Sequence, residues 1–456
     1  MTYFCNNSFR LNILFFFWLF LVVVPFNAVN GQTQTSAEIQ LGGFYSDGEE
    51  LPFWMYNNTR GRITRETAIA GTLSAKLNYE LDYDESLEFG GGVNLQDGFY
   101  DHIFVDELYA GYQNSWLDVV LGAKHRPELY KGLSLSNESM LWSLNARSRP
   151  GIQLRTRRPI TLFGDNGIGI EAAWEEYYMG NSPGIADALL HHKMLSLVYK
   201  PQSSDDTWQF SLHHYVKWGG ESSELGELPS GINDYLRVIS GMGANLDGKN
   251  VSRNLGSYEV LFKTWINSGL EVSFLYNYIF QSFKGAALSN IPDGRYGVFF
   301  DFKQERSLIN GLMYELYYTG NQGLQHNTNS RNENYLNNDI YQSGWTYKNR
   351  VMASPLFRYN PGSSLIFNNI FTSHHFGLSG TFANYFESYP YKLLLTFARL
   401  EGTHKNPFTP KEDLAYLFYE MRILDSFVNI KLQLGAEYSN INKPVYGAGI
   451  QLNKRF

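Results

Sequence analysis

The last twelve residues, 445–456, change character at every step. Phe456, Leu452, Ile450, Ala448 and Tyr446 fall on one face, and Arg455, Asn453, Gln451, Gly449 and Gly447 on the other. Successive side chains of a strand point to opposite faces, so this segment reads as a strand apolar outside and polar inside. That is the wall pattern of a transmembrane β-barrel. Lys454 interrupts the apolar face only near its end, where a long side chain can reach the headgroups.

The same division recurs upstream. Tyr258, Val260, Phe262, Thr264 and Ile266 alternate with Glu259, Lys263 and Trp265 before Asn267-Ser268-Gly269 turns the chain. Leu270, Val272, Phe274, Tyr276, Tyr278 and Phe280 then share a face, with Glu271, Ser273, Asn277 and Gln281 opposite. Further strands are expected near 298–303, 308–319, 351–359, 365–374, 378–386, 391–401, 414–423 and 427–438. Short turns fall at Asn360-Pro361-Gly362 and Leu424-Asp425-Ser426. In the first half the segments are 68–81, 87–95, 103–113, 116–124, 151–157, 167–178, 191–200 and 207–217. These eight break the parity, so one is surplus or 38–45 is a ninth. The total is about 18 or 20 strands, each needing ~9–11 residues to cross the membrane.

Long connections at 220–256, 282–296, 320–350 and 402–413 alternate with short ones. A last strand running inward places all four outside. The expected fold is therefore all-β: a single-chain antiparallel transmembrane barrel with long extracellular loops, residues 67–456. Residues 32–66 are an N-terminal segment, either a plug or the first strand. A soluble β-sandwich or propeller would alternate too, but its outward face would be polar, and no propeller repeat is visible.

At the other end, Arg10 is the only charged side chain before an apolar run over 13–26, and Val29-Asn30-Gly31 offers small residues for cleavage. Residues 1–31 read as a secretory signal peptide, with Gln32 first in the mature chain. Cys5, the single cysteine, leaves with it, so no disulfide is expected. Loss of Arg10 makes the balance one unit more negative than the whole chain's −7. With no basic cluster, that argues against a nucleic-acid partner. Tyr and Phe number 32 each while charged residues are 18%, yet mean hydropathy is −0.30. Lumen and loops offset a greasy outer wall.

Few residues point to chemistry. The pairs His191-His192, His213-His214 and His374-His375 each split between the two faces of a strand, so no pair converges on a metal ion. There is no Gly-x-Ser-x-Gly or comparable nucleophile cluster. No catalytic residue, metal or cofactor is expected. Arg147 and Arg149 lie at the mouth of a descending strand, where they could clamp a uronic acid or pair with lumen acids such as Glu171 or Glu175. Trp218, before Gly219-Gly220, could stack a sugar or sit at the membrane interface. Glu315 faces inward with Thr319, toward a ligand or a lumen cation. Connection 320–350 is rich in Asn, including Asn337, and its Tyr335, Tyr341 and Trp345 could stack on sugars or cap the barrel.

Several stretches together resemble the Wzi-type outer-membrane capsule assembly family, in the version found in Bacteroidetes-like bacteria. They are Leu51-Pro52-Phe53-Trp54, residues 145–154, His214-Tyr215-Val216-Lys217-Trp218-Gly219-Gly220 with Leu228-Pro229, Asn254-Leu255-Gly256-Ser257-Tyr258, and Asp293-Gly294. They continue through residues 314–323, Asn334-Tyr335-Leu336-Asn337-Asn338, Gly344-Trp345-Thr346-Tyr347 and Pro355. The resemblance implies an 18-stranded barrel acting as a lectin for capsular polysaccharide. It also implies a periplasmic helical bundle near the N-terminus, but residues 49–65 have little helical periodicity, so that bundle is expected to be reduced or absent. A chain ending on Phe456 looks like the C-terminal signal of outer-membrane barrels, read by the barrel assembly machinery. The expectation is a monomeric, non-enzymatic protein of the bacterial outer membrane, in contact with its lipids, that binds capsular or extracellular polysaccharide at Arg147, Arg149, Trp218, Glu315, Asn337, Tyr341 and Trp345. The alternative is a passive pore or sugar-uptake channel.

Overall fold

The computed structural model describes residues 33–98, 101–162, 167–325, 330–384 and 386–456. The expected signal peptide, 1–31, lies outside the described residues. Eighteen antiparallel strands form the wall. They are β1 (Thr33–Ser46), β2 (Ile69–Asp82), β3 (Glu85–Gln96), β4 (Ile103–Gln113), β5 (Leu117–Ala123) and β6 (Gly151–Thr156). Next come β7 (Ile168–Ser182), β8 (Ile185–Tyr199), β9 (Thr207–Trp218), β10 (Arg253–Asn267), β11 (Leu270–Phe280) and β12 (Gly294–Phe302). The last are β13 (Gly311–Tyr318), β14 (Ile370–Ala383), β15 (Ser388–Gly402), β16 (Pro407–Asp425), β17 (Asn429–Ser439) and β18 (Val445–Arg455). Each pairs with its neighbours in chain order. The ring closes where β1 pairs with β18, Glu38 opposite Arg455 and Ser46 opposite Gly447, so no edge is left for another chain to extend. No helix among the described residues is long and apolar enough to cross a membrane.

The alternation read from the C-terminal strand is the observed one. Tyr446, Ile450 and Leu452 stand on the outer surface, 57%, 45% and 37% exposed, while Gly447 is buried toward the lumen. Its lack of a side chain is required. A Cβ at Gly447 would lie 2.7 Å from the Met55 sulfur, and one at Gly435 2.9 Å from it, so these two glycines admit a loop against the wall.

Of the expected 18 or 20 strands the wall has 18, and two stretches read as strands differ. Residues 351–359 do not span: Val351, Met352, Ala353, Leu356 and Phe357 are buried inside the barrel, so their apolar run serves a packed interior. Residues 365–374 and 378–386 are not separate strands, because Ile370–Ala383 runs unbroken. Between them Gly377 admits the plug formed by connection 124–150, since a Cβ there would lie 2.5 Å from the Leu133 carbonyl oxygen. The Asn360-Pro361-Gly362 turn belongs to a small hairpin, Arg358–Asn360 with Leu365–Asn368, apart from the wall. At the other end, 38–45 lies within β1, so the wall starts at Thr33 rather than at residue 67.

Connections at one end are short: 83–84, 114–116, 157–167, 200–206, 268–269, 303–310, 384–387 and 426–428. At the other end, 47–68, 124–150, 219–252, 281–293 and 319–369 are long. Short turns are periplasmic and long loops external in outer-membrane barrels, which fixes the direction of every strand.

Three long connections fold inward. In 47–68 the single helical turn α1 (Phe53–Tyr56) stacks Phe53 on Tyr416 of β16 at 4.1 Å and hydrogen-bonds the Trp54 indole to Thr396 of β15. Connection 124–150 meets β14 where the Leu133 carbonyl lies 2.7 Å from His375 Nε2. It meets 319–369 where Trp345 Nε1 donates to the Leu141 carbonyl at 2.7 Å. Connection 219–252 does the reverse. Its helix α2 (Ile232–Ile239) lies against outward residues of the wall, with Tyr235 donating to Glu176 and accepting from Trp174.

Candidate functional site

Arg147, Arg149, Glu315, Asn337, Tyr341 and Trp345 take part in the plug or its supports, whereas Trp218 lies on the outer side of the wall and Phe456 is exposed there. Glu315 is inward on β13 and fully buried. It pairs with Arg295 of β12 at 2.7 Å and accepts from Ser134 Oγ at 2.9 Å and the Leu135 amide at 2.7 Å. A wall carboxylate thereby ties down connection 124–150. Of the two readings, lumen cation or ligand, the geometry gives the cation.

Arg147 lies over the Phe104 ring at 3.4 Å and pairs with Asp101 at 2.9 Å. Arg149 and Arg126 both lie over the Trp142 ring, at 3.9 and 4.0 Å. Arg126 pairs with Glu138 and Glu175, whereas Arg149 has no carboxylate partner among the described residues, and burial lowers it to about 10. The acids proposed for these arginines are otherwise engaged. Glu175 is held by Arg126, Arg155 and His192, and Glu171 accepts from Gln209.

Trp218 is buried beneath α2, its ring 5.5 Å from that of Tyr235. Asn337 exchanges hydrogen bonds with the backbone of Ile366 at 2.9 and 3.2 Å. Tyr341 donates to the Gly219 carbonyl at 3.1 Å, and Trp345 is fully enclosed. Arg147, Arg149, Trp218, Glu315, Tyr341 and Trp345 are all buried, so as folded they present no binding face to an outside polymer. Aromatic and Arg residues concentrated in these stretches because the plug needs a packed core with its polar groups satisfied.

The histidine pairs split as expected. His192 and His213 face inward and His191 and His214 outward; His375 is enclosed while His374 meets Tyr314 on the outer face. The inward members of neighbouring strands nevertheless meet, His192 Nε2 lying 3.1 Å from His213 Nδ1, with Glu175 on the far side of His192 at 2.7 Å. Cross-strand register brings them together, and no single segment signals it. Among the described residues, no group of three His, Cys, Asp or Glu is placed to hold a metal.

Below the plug, at the short-turn end, a cavity of about 620 Å³ remains. Its sides are inward residues of β14–β18 and β1–β2, and its ceiling is formed by 47–68 and 124–150. The sequence reading noted the inward Gln451, Asn453 and Arg455 but not the chamber. Only the folding-in of two distant connections closes its top.

No protein-family model matches the sequence, and no curated protein matches it. Solved structures do. Wzi of Escherichia coli, an outer-membrane protein involved in group 1 capsule assembly and a carbohydrate-binding β-barrel, is similar with a TM-score of 0.58 at 11% identity, over 91% of this chain and 83% of that one. OccK3 (OpdO) of Pseudomonas aeruginosa is similar with a TM-score of 0.50 at 10% identity, over 93% of this chain and 95% of that one. Identities this low speak to the fold alone. The protein is a closed 18-stranded β-barrel with the fold of bacterial outer-membrane proteins.

Proposed function

We propose that the protein is an outer-membrane lectin that binds a capsular or other extracellular polysaccharide and supports capsule assembly or surface attachment. The observation that carries this reading is the filled outer half of the lumen. Trp345, Tyr335, Leu336, Met352 and Phe357 are enclosed there, where a passive pore or sugar-uptake channel needs a water path. The Wzi-like sequence stretches and the likeness in fold to a carbohydrate-binding barrel support the same reading.

Contacts with the polymer fall to exposed parts of 219–252 and 281–293 rather than to the enclosed aromatic residues. The hairpin Asn245–Leu246 with Lys249–Asn250 offers amides and a lysine to solvent. Many weak contacts repeated along a polymer give avidity without a tight single site. The reading assigns the protein no catalysis, cofactor or metal. It works as a monomer among outer-membrane lipids after insertion by the barrel assembly machinery.

Glycan-array binding by the detergent-purified barrel, with planar-bilayer conductance on the same preparation, tests it. Polysaccharide binding without conductance is expected. Open-channel conductance with no glycan bound would establish the pore instead.

A further inference from the structure

The chamber beneath the plug leaves about 620 Å³ open within the lumen. Above it, Glu315 is locked to Arg295, and Arg149 is stacked on Trp142. Around it, Arg62 is paired with Asp106, Lys431 with Glu420, and Arg455 with Glu38. Two cations are left over. The Arg60 side chain, in the ceiling, donates among the described residues to the Arg126 carbonyl at 3.4 Å. Lys392, in the wall, lies opposite Glu420, which it shares with Lys431, and has the Phe418 ring 5.9 Å away. Neither forms an ion pair of its own among the described residues, and the unpaired Glu128 of the ceiling offsets only one of them.

The remaining lining suits a polyhydroxylated guest. Gln40, Gln451 and Asn58 present amides, and the Asn58 side-chain oxygen has no hydrogen-bond partner among the described residues. Phe44 and Trp54 add aromatic surface at the closed end. The volume falls within the ~300–1,000 Å³ of small-molecule sites. The top is sealed by buried residues such as Trp54 and Met55, while Arg455 at the foot of the wall has a 79% exposed side chain. The chamber therefore opens toward the short turns, the periplasmic side.

We propose that this chamber binds a short acidic saccharide from the periplasmic side, its carboxylate taken by Arg60 or Lys392 and its hydroxyls by the amides. The inference rests on the reading of the protein as a glycan binder and adds a second site, on the opposite face from the surface contacts. A carboxylate-bearing glycan chain on its way to the surface and a cell-wall fragment share this chemistry.

The test is calorimetric titration of the folded full-length barrel in detergent with trigalacturonate, with maltotriose as the neutral probe and a disaccharide-peptide from cell wall as the second acidic source. Trigalacturonate is expected to bind saturably and maltotriose far more weakly. Lys392→Gln and Arg60→Gln should each weaken the acidic ligand about tenfold, the loss of one charge-assisted hydrogen bond, and each should keep its heat-modifiable gel mobility. Tighter binding of the disaccharide-peptide, lost in the same variants, would support the site with the cell wall as source. Arg60 lies in a connection and Lys392 in the wall, so one variant still reads the site if the other misassembles. Unchanged binding in both variants, or equal binding of acidic and neutral probes, overturns the proposal. Intact cells, which expose only the outer face, separate the two readings. If they hold polysaccharide while the purified variants bind trigalacturonate like wild type, the chamber fails and the lectin stands. If neither cells nor purified barrel bind any glycan, both fall.

Discussion

Glu315 shows how one side chain can hold a connection far away in sequence. Its carboxylate meets Arg295, Ser134 and the Leu135 amide, so truncating it strands a buried guanidinium and frees part of the plug. Removing one partner of a buried pair costs ~3–5 kcal/mol, and replacing both with apolar residues costs far less. Glu315→Ala should lower the temperature at which the unboiled gel band shifts, and a Glu315→Leu/Arg295→Met double variant should recover much of the loss. At the chain end, Phe456 is 67% exposed on the outer face, while Arg455 pairs with Glu38 across the closing seam. Deleting Phe456 should reduce membrane yield more than Arg455→Ala, because exposed ion pairs contribute little. Equal yields would contradict the assembly role of the aromatic. The inward facing of Glu315 was legible from parity. Its partner was not, because Arg295 lies on the neighbouring strand and pairing depends on register.

At the level of elements, connection 124–150 is where charge and structure couple. Burial alone would raise the Glu138 carboxyl, but Arg126 overrides it and holds it at about 2 against an ordinary 4.5. A depressed folded value stabilises in full above pH 4.5 and fades as pH falls toward 2. The hold of Arg126 on Glu138 in connection 124–150 should therefore be constant between pH 8 and 5 and loosen in acid. Conductance recorded from pH 5 down to pH 2 checks this, and Glu138→Gln should flatten the acid response of this pair. Connection 319–369 explains why the strand reading faltered near 351–359. Two-residue alternation marks a wall with one wet and one greasy side, but a plug segment buried all round is apolar without meaning a strand. Gly377 and Gly447 mark where plug meets wall, a role invisible until the plug is in place.

For the whole molecule, wall and plug are separable. Replacing 320–350 with a short Gly-Ser link should leave heat-modifiable migration intact, since every wall hydrogen bond closes within the barrel and loop closure costs little. It should also open the lumen, removing Tyr335, Tyr341 and Trp345 from the packed interior. The expected readout is conductance absent in wild type. A variant that stays closed would show that 47–68 and 124–150 seal the barrel alone.

The sequence by itself determined the wall. Period-two alternation, turn residues and a terminal aromatic are local signals, and a bilayer makes them strict, because each outward residue meets lipid and each backbone group must find a neighbouring strand. Only the tertiary structure decided what fills the wall. Whether Trp345 meets a sugar or the Leu141 carbonyl, and whether Arg149 grips a ligand or stacks on Trp142, depends on connections folding inward from opposite ends of the chain. Such contacts join residues up to hundreds of positions apart, and the composition of a sugar site and of a polar, aromatic plug is the same.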